Sequence, residues 1–151
     1  MNAARARTAI RVTIGFFFIL AGASKIADPS RFLTALFAYD LHLPGVLLRL
    51  TAIGLPWLEL FCGALLAFNA WDEVARRWIL VLTVVFIVAT AQAILRGLDI
   101  SCGCVNVGAL GLQRWAEILE RPGVAFARNV LMLGALVYAG RKEGSDAVGR
   151  H

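Results

Sequence analysis

The chain has 151 residues, 60% of them hydrophobic, and its mean hydropathy is +0.74. A soluble domain is about half apolar. The excess here is concentrated in segments too long and too uncharged for a soluble core, which excludes a soluble protein and indicates one membrane-embedded domain. The net charge of +5 does not indicate a nucleic-acid partner, because the basic residues flank apolar segments instead of forming a stripe.

Four segments are apolar enough to cross a membrane, which takes about 20 residues. They comprise residues 9–27, 45–70, 74–95 and 124–140. The first segment also resembles a cleaved signal peptide, but its apolar run is long and Lys25 with the polar turn after it indicates the end of a span. Arg128 lies in the first turns of the fourth segment, and we expect its side chain to reach the membrane interface.

Two of the loops predict short helices of their own. Residues 29–39 place apolar side chains at positions 32, 33, 36 and 37, and residues 113–120 show a similar spacing. This spacing puts the apolar side chains on one helical face, as in helices that lie in a membrane interface. The predicted fold is therefore all-α: an integral membrane four-helix bundle with short interfacial helices in the outer loops.

The distribution of lysine and arginine predicts the orientation. An even number of spans puts both termini on one side, and Arg76 and Arg77 fill a very short loop on that side. We therefore predict a multi-pass protein of the bacterial inner membrane, with residues 9–140 as its transmembrane domain and with residues 1–8 and 141–151 as cytoplasmic tails. The loop between the third and fourth spans then faces the periplasm or the cell exterior.

That loop contains Cys102-Gly103-Cys104, two of the three cysteines in the chain. A disulfide between residues i and i+2 closes a small, strained ring, and strain makes a disulfide easier to reduce. Redox exchange by Cys102 and Cys104 is the favoured interpretation, with the thiolate as the attacking species. A metal half-site and an inert pair are the alternatives, although the two cysteines alone lack the further ligands that zinc requires.

Polar residues inside the spans are the next candidates. A charge such as that of Glu59 is costly inside a membrane, so Glu59 indicates function or pairing. Either Lys25 and Glu59 form an ion pair that joins two helices, or they polarise a quinone or move a proton, or a protonated Glu59 only donates a hydrogen bond. Gln92 completes the predicted cofactor-binding set, and interhelical hydrogen bonding is its plainer role. Cys62 is interpreted as a buried apolar residue, since its depth argues against an electron relay to the loop.

Three motifs resemble one known family. The run from Gly15 to Lys25 is similar to the Gly-x-x-Phe-x-x-x-Gly-x-x-Lys signature of DoxX-like proteins, and the run from Pro56 to Gly63 resembles their second-span element. Ser101-Cys-Gly-Cys matches the Cys-Gly-Cys of the MauE-type branch. That branch commonly continues Cys-Phe-Gly, whereas this chain continues Cys104-Val-Asn-Val-Gly.

The resemblance implies a four-helix membrane protein that handles disulfides. MauE-type proteins are linked to maturation of the disulfide-rich small subunit of methylamine dehydrogenase, together with a thioredoxin-like partner. Other DoxX-like proteins are membrane subunits of thiosulfate:quinone oxidoreduction. These properties favour a quinone as cofactor and a thioredoxin-like extracytoplasmic protein or a disulfide-containing client as partner.

The predicted function is accordingly a quinone-linked thiol–disulfide oxidoreductase surrounded by membrane lipid, with further copies of the chain as candidate partners in a homo-oligomer. Two alternatives stay open: a non-catalytic membrane anchor or assembly subunit of a redox complex, and a carrier of a soft metal ion.

Overall fold

Five helices make up most of the described chain. The structure is a computed structural model that describes residues 3–39, 44–69, 71–97 and 121–141. The helices are α1 (Ala3–Ala27), α2 (Pro29–Ala38), α3 (Gly45–Ala67), α4 (Asp72–Leu95) and α5 (Pro122–Arg141). All but α2 are long and apolar enough to span a membrane. The prediction of an all-α membrane bundle is therefore confirmed, while the helix predicted over residues 113–120 lies outside the described residues.

The four long helices form a ring in which each packs against two neighbours. Helix α1 packs on α3, α3 on α4, α4 on α5, and α5 on α1. Neighbours run antiparallel: Gly22 of α1 lies against Pro56 of α3, and Gly140 near the end of α5 lies against Arg76 near the start of α4. One end of the bundle thus gathers the last turns of α1 and α4, the first turns of α3 and α5, and helix α2. We call it the α2 end.

Helices α1 and α3 approach each other at backbone contact distance. A β-carbon built on Gly15 would lie 2.7 Å from the carbonyl oxygen of Gly63, and one on Gly22 would lie 2.6 Å from that of Pro56. Only residues without a β-carbon fit at such distances, and small residues at helix crossings are how membrane helices pack closely without a hydrophobic driving force. These glycines therefore fix how α1 lies along α3.

Helix α2 begins immediately after α1 because Asp28 caps it. The Asp28 Oδ1 atom accepts hydrogen bonds from the Ser30 hydroxyl at 2.7 Å and from the Arg31 backbone N–H at 3.1 Å, and Pro29 occupies the first turn. The hydrogen bond from Ser30, followed by that from Arg31, holds the pKa of Asp28 below its ordinary value of 3.8.

One face of α2 packs on α3, as the spacing of its apolar residues predicts. Phe32 and Leu36 are buried in a cluster with Leu48 and Ala52 of α3. Phe37, which the periodicity places on the same face, is instead 48% exposed. Helix α2 therefore covers the first turns of α3 and leaves Phe37 on the surface.

The connection between α3 and α4 is a tight turn. Helix α3 ends at Ala67, three residues before the predicted end of the second span at residue 70. Asn69 and Trp71 have positive φ angles of 58° and 49°. Left-handed backbone cannot continue a right-handed helix, and it reverses the chain within a few residues.

Candidate functional site

A buried ion pair joins α1 to α3 near the α2 end. The Nζ atom of Lys25 lies 2.7 Å from Oε1 and 2.6 Å from Oε2 of Glu59. Lys25 is 3% exposed and Glu59 is fully buried. The rings of Phe32 in α2 and Phe86 in α4 lie 5.1 Å and 5.0 Å from the ammonium group, within the range of cation–π attraction. Three further helices thus contribute to the surroundings of one α1 side chain.

The local sequence explains how the pair forms. Lys25 is in the last turn of α1, and side chains on a helix lean towards its N-terminus, so the ammonium group is directed back into the bundle. Glu59 follows Pro56 by three residues, beside the close approach of α3 to Gly22. Of the alternatives that the sequence left open for Glu59, the structure has the ion pair that joins two helices.

Gln92 does not join this pair by a hydrogen bond. Its side chain is half-buried in α4 and makes no hydrogen bond within the described part of the chain. The neighbouring Thr90 is buried, and its hydroxyl donates to the backbone carbonyls of Phe86 and Ile87 in the same helix. Its hydroxyl is thus satisfied within α4.

The cysteines differ in what the structure describes. Cys62 is 5% exposed and belongs to a hydrophobic cluster with Ile14, Phe18 and Leu66, and its thiol is free. This environment agrees with the prediction of a buried apolar role. Cys102 and Cys104 lie outside the described residues.

Chain connectivity nevertheless relates the cysteine pair to the fold. The segment of residues 98–120 carries Cys102 and Cys104 and connects the end of α4 to the start of α5. These two helix ends lie at the α2 end of the bundle. At the beginning of the segment, the Arg96 guanidinium donates a hydrogen bond to the backbone carbonyl of Tyr39, at 3.4 Å. The chain therefore enters this segment from a residue that is tied to the end of α2.

Sequence reasoning missed a cavity between α1 and α5. Its volume is about 610 Å³, and its lining is apolar except for Thr13 and Arg128. The Arg128 guanidinium carbon lies 4.7 Å from the centre of the Phe17 ring, and Nε is buried without a hydrogen-bond partner in the described residues.

The reach of Arg128 to the membrane interface stays a prediction. Its guanidinium contacts Phe17, about 15 Å from the end of α1 at 1.5 Å per residue, and its backbone is about 9 Å from the start of α5. The signal that could have indicated this depth was an arginine seven residues into a short apolar span. A charged side chain at such depth indicates a functional site by default.

Within the four described ranges, no group of three or more histidine, cysteine, aspartate or glutamate side chains is placed to hold a metal ion.

Four apolar spanning helices around a buried ion pair define the class as a multi-pass helical membrane protein. Residues 3–141, nearly the whole chain, match the family described as methylamine utilisation protein MauE, and the chain belongs to that family. Comparisons with curated proteins and with solved structures gave no match. The wider resemblance to DoxX-like proteins stays a prediction.

Proposed function

We propose that this protein is a membrane thiol–disulfide oxidoreductase whose Cys102 and Cys104 exchange with a thioredoxin-like extracytoplasmic protein or a disulfide-containing client. The observation that carries the proposal is the Cys-Gly-Cys sequence in the segment that connects α4 to α5 at the α2 end, in a chain of the MauE family. Two thiols one residue apart form a strained disulfide, which suits exchange better than stabilisation.

The exchange balances as a two-electron reaction. When the pair oxidises a client, a client thiolate attacks one sulfur of the Cys102–Cys104 disulfide and forms a mixed disulfide. The second client thiol then resolves it, so the client gains a disulfide and the pair becomes two thiols. Returning the pair to the disulfide requires an acceptor for two electrons and two protons. A membrane quinone, which becomes a quinol, has the required capacity.

The described residues at the α2 end support this proposal by holding helix ends together at the end of the bundle where the cysteine segment begins. The Lys25–Glu59 pair joins α1 to α3, and Arg96, just after α4, donates a hydrogen bond to the backbone carbonyl of Tyr39, just after α2. Thiol–disulfide exchange requires the attacking sulfur to lie in line with the two sulfurs of the disulfide. A redox pair that reacts with a partner protein therefore benefits when the helices next to it are held in place.

The predicted quinone contacts of Lys25, Glu59 and Gln92 are a separate part of the proposal. Because the ammonium and carboxylate groups already compensate each other and are nearly inaccessible, the geometry favours the ion pair as a structural connection. A quinone contact by this pair would require the pair to open.

A thiol-trapping redox titration of the purified full-length protein tests the exchange. We expect Cys102 and Cys104 to oxidise and reduce as one two-electron couple, and Cys102→Ser or Cys104→Ser each to abolish disulfide transfer to a reduced thioredoxin-like substrate. Cys62→Ser is the matched control, since Cys62 is buried in the hydrophobic cluster, and it should retain transfer. Full transfer by either loop variant would refute the proposal.

The same preparations separate the alternatives. An anchor or assembly subunit predicts that the double serine variant changes neither assembly nor any thiol chemistry. A soft-metal carrier predicts stoichiometric metal in the purified wild-type protein that is lost in the double variant.

A further inference from the structure

We propose that the cavity between α1 and α5 binds the head group of a membrane quinone, with Arg128 donating a hydrogen bond to a quinone carbonyl. The inference rests on the proposed function, which requires a membrane-soluble electron acceptor, and it assigns that acceptor to residues other than Lys25 and Glu59.

The cavity has the size and the access that such a ligand needs. Its volume of about 610 Å³ lies within the usual range of small-molecule sites. Several lining residues are also on the outer surface of the bundle, among them Thr13, Ala127 and Leu131, the last of which is 74% exposed. The cavity is therefore open sideways, in the direction from which a molecule dissolved in the bilayer arrives.

Arg128 supplies the polar contact. It is the one charged residue among those lining the cavity, and its buried Nε–H has no acceptor in the described residues. An unsatisfied donor in apolar surroundings is unfavourable, and a carbonyl oxygen in the cavity would satisfy it. The Arg128 guanidinium carbon lies 4.7 Å from the centre of the Phe17 ring, within the range of cation–π attraction.

Depth distinguishes a quinone from a phospholipid. The guanidinium lies beside Phe17, about 15 Å from the end of α1, and the Arg128 backbone is about 9 Å from the start of α5, inside the apolar part of the bundle. A phospholipid phosphate belongs at the headgroup level of the membrane, whereas an uncharged quinone ring enters the hydrocarbon region. The ion pair at Lys25 and Glu59 is 3% and 0% exposed, so it presents no comparable open donor.

The electron balance is that of the proposed function. Oxidation of the Cys102–Cys104 thiols to the disulfide releases two electrons and two protons, the number that converts a quinone to a quinol. The cavity is proposed as the site that binds the quinone and not as the place of this transfer, because it lies at the depth of Cys62. Arg128 orients and polarises the quinone carbonyl by donating a hydrogen bond to it.

Quinone binding can be measured without any thiol chemistry. Full-length protein in nanodiscs of zwitterionic lipid is titrated with a short-chain ubiquinone, and quenching of tryptophan fluorescence gives the dissociation constant. We expect saturable binding by the wild type, at least about tenfold weaker binding by Arg128→Leu, and an intermediate value for Arg128→Lys. Ala127→Phe should abolish binding by filling the cavity, and Val130→Phe, on the same helix but outside the lining, should bind like the wild type.

Two controls keep the outcome decisive. Thermal unfolding of every variant identifies any that misfold. Photolabelling of the wild type with an azidoquinone should modify peptides of α1 and α5, and labelling confined to α3 and α4 would overturn the proposal. Wild-type quinone affinity in both Arg128→Leu and Ala127→Phe would also overturn the proposal. Loss of quinone binding in phosphatidylglycerol nanodiscs would overturn it too, because anionic lipid would then be the occupant of the cavity.

The double variant Cys102→Ser, Cys104→Ser separates this inference from the proposed function. It should bind the quinone with wild-type affinity. If the wild type binds quinone at Arg128 but transfers no disulfide, the proposed function fails and the quinone site stands. If it transfers disulfides but binds quinone elsewhere, the reverse holds.

Discussion

At the scale of single residues, the charges inside the bundle fall into two kinds. Lys25 and Glu59 compensate each other at 2.6–2.7 Å and are almost inaccessible, so they contribute to how α1 and α3 are held together. Arg128 lines a cavity, and one of its donors is left open among the described residues. Burial and pairing, more than residue type, therefore distinguish the structural charges of Lys25 and Glu59 from the charge of Arg128, for which we propose a ligand.

Removing one member of the pair should destabilise the protein more than removing both. Glu59→Gln leaves the buried Lys25 ammonium without its counter-charge, and breaking a buried pair in this way typically costs about 3–5 kcal/mol. Replacing both with methionine removes both desolvated charges, so Lys25→Met with Glu59→Met should recover much of the loss. Unfolding in detergent measures the complete double-mutant cycle. Wild-type stability of Glu59→Gln would contradict a structural role for the pair.

At the scale of elements, the contact between α1 and α3 explains the spacing of the first motif. Gly15, Gly22 and Lys25 occupy one face of α1, and all three contact α3. The glycines permit the backbone approach, and the lysine closes the same interface at the α2 end. The motif that resembles a family signature therefore describes, in this chain, how two helices pair.

A methyl group placed in this interface should be costly. In Gly63→Ala the new β-carbon would lie 2.7 Å from the Gly15 carbonyl oxygen and 2.9 Å from the Ile19 nitrogen, and backbone atoms of a helix cannot move aside separately. Overpacking of this kind costs typically about 1–3 kcal/mol. The matched control is Gly54→Ala in the same helix, where no atom lies within 4 Å.

Thermal unfolding of the two alanine variants in detergent is the measurement. Gly54→Ala should equal the wild type or exceed it by up to about 1 kcal/mol, because alanine favours helix more than glycine does. Equal stability of Gly63→Ala and Gly54→Ala would mean that the helices are not in backbone contact.

At the scale of the whole molecule, an even number of candidate spans predicts that the two ends of the chain share one side of the membrane and that the cysteine segment lies on the opposite side. The proposed orientation, with the termini in the cytoplasm, follows from the basic residues beside the short connection of α3 and α4. A second argument for this orientation is that disulfides form and persist in the extracytoplasmic compartment and are kept reduced in the cytosol.

Labelling with a membrane-impermeant maleimide tests the orientation. In a Cys62→Ala background, Cys102 and Cys104 should react in intact spheroplasts once they are reduced. As the control, Ser145→Cys in a chain lacking all three native cysteines should react only after the membrane is permeabilised. The opposite pattern would invert the topology and put the cysteine pair in a reducing compartment.

Much of the fold could be predicted from the sequence because hydropathy is a property of each segment alone. The four spans follow from apolar runs of sufficient length, and α2 follows from the spacing of Phe32 and Leu36. The cysteine pair was also identified by sequence, since two thiols at i and i+2 need no fold to be neighbours. Helix ends were less certain, because the end of α3 at Ala67 depends on left-handed backbone at Asn69.

What the sequence by itself determined is the class of protein, the number of candidate spans and the segment that carries the Cys-Gly-Cys pair. The tertiary structure decided that Lys25 pairs with Glu59, 34 residues away, and that Arg128 of α5 lies against Phe17 of α1. The physical reason is that hydropathy fixes which segments enter the membrane but not how each helix is rotated. Rotation depends on contacts between helices, here on glycines that let α1 and α3 touch, and it determines which side chains face a partner and which face a cavity.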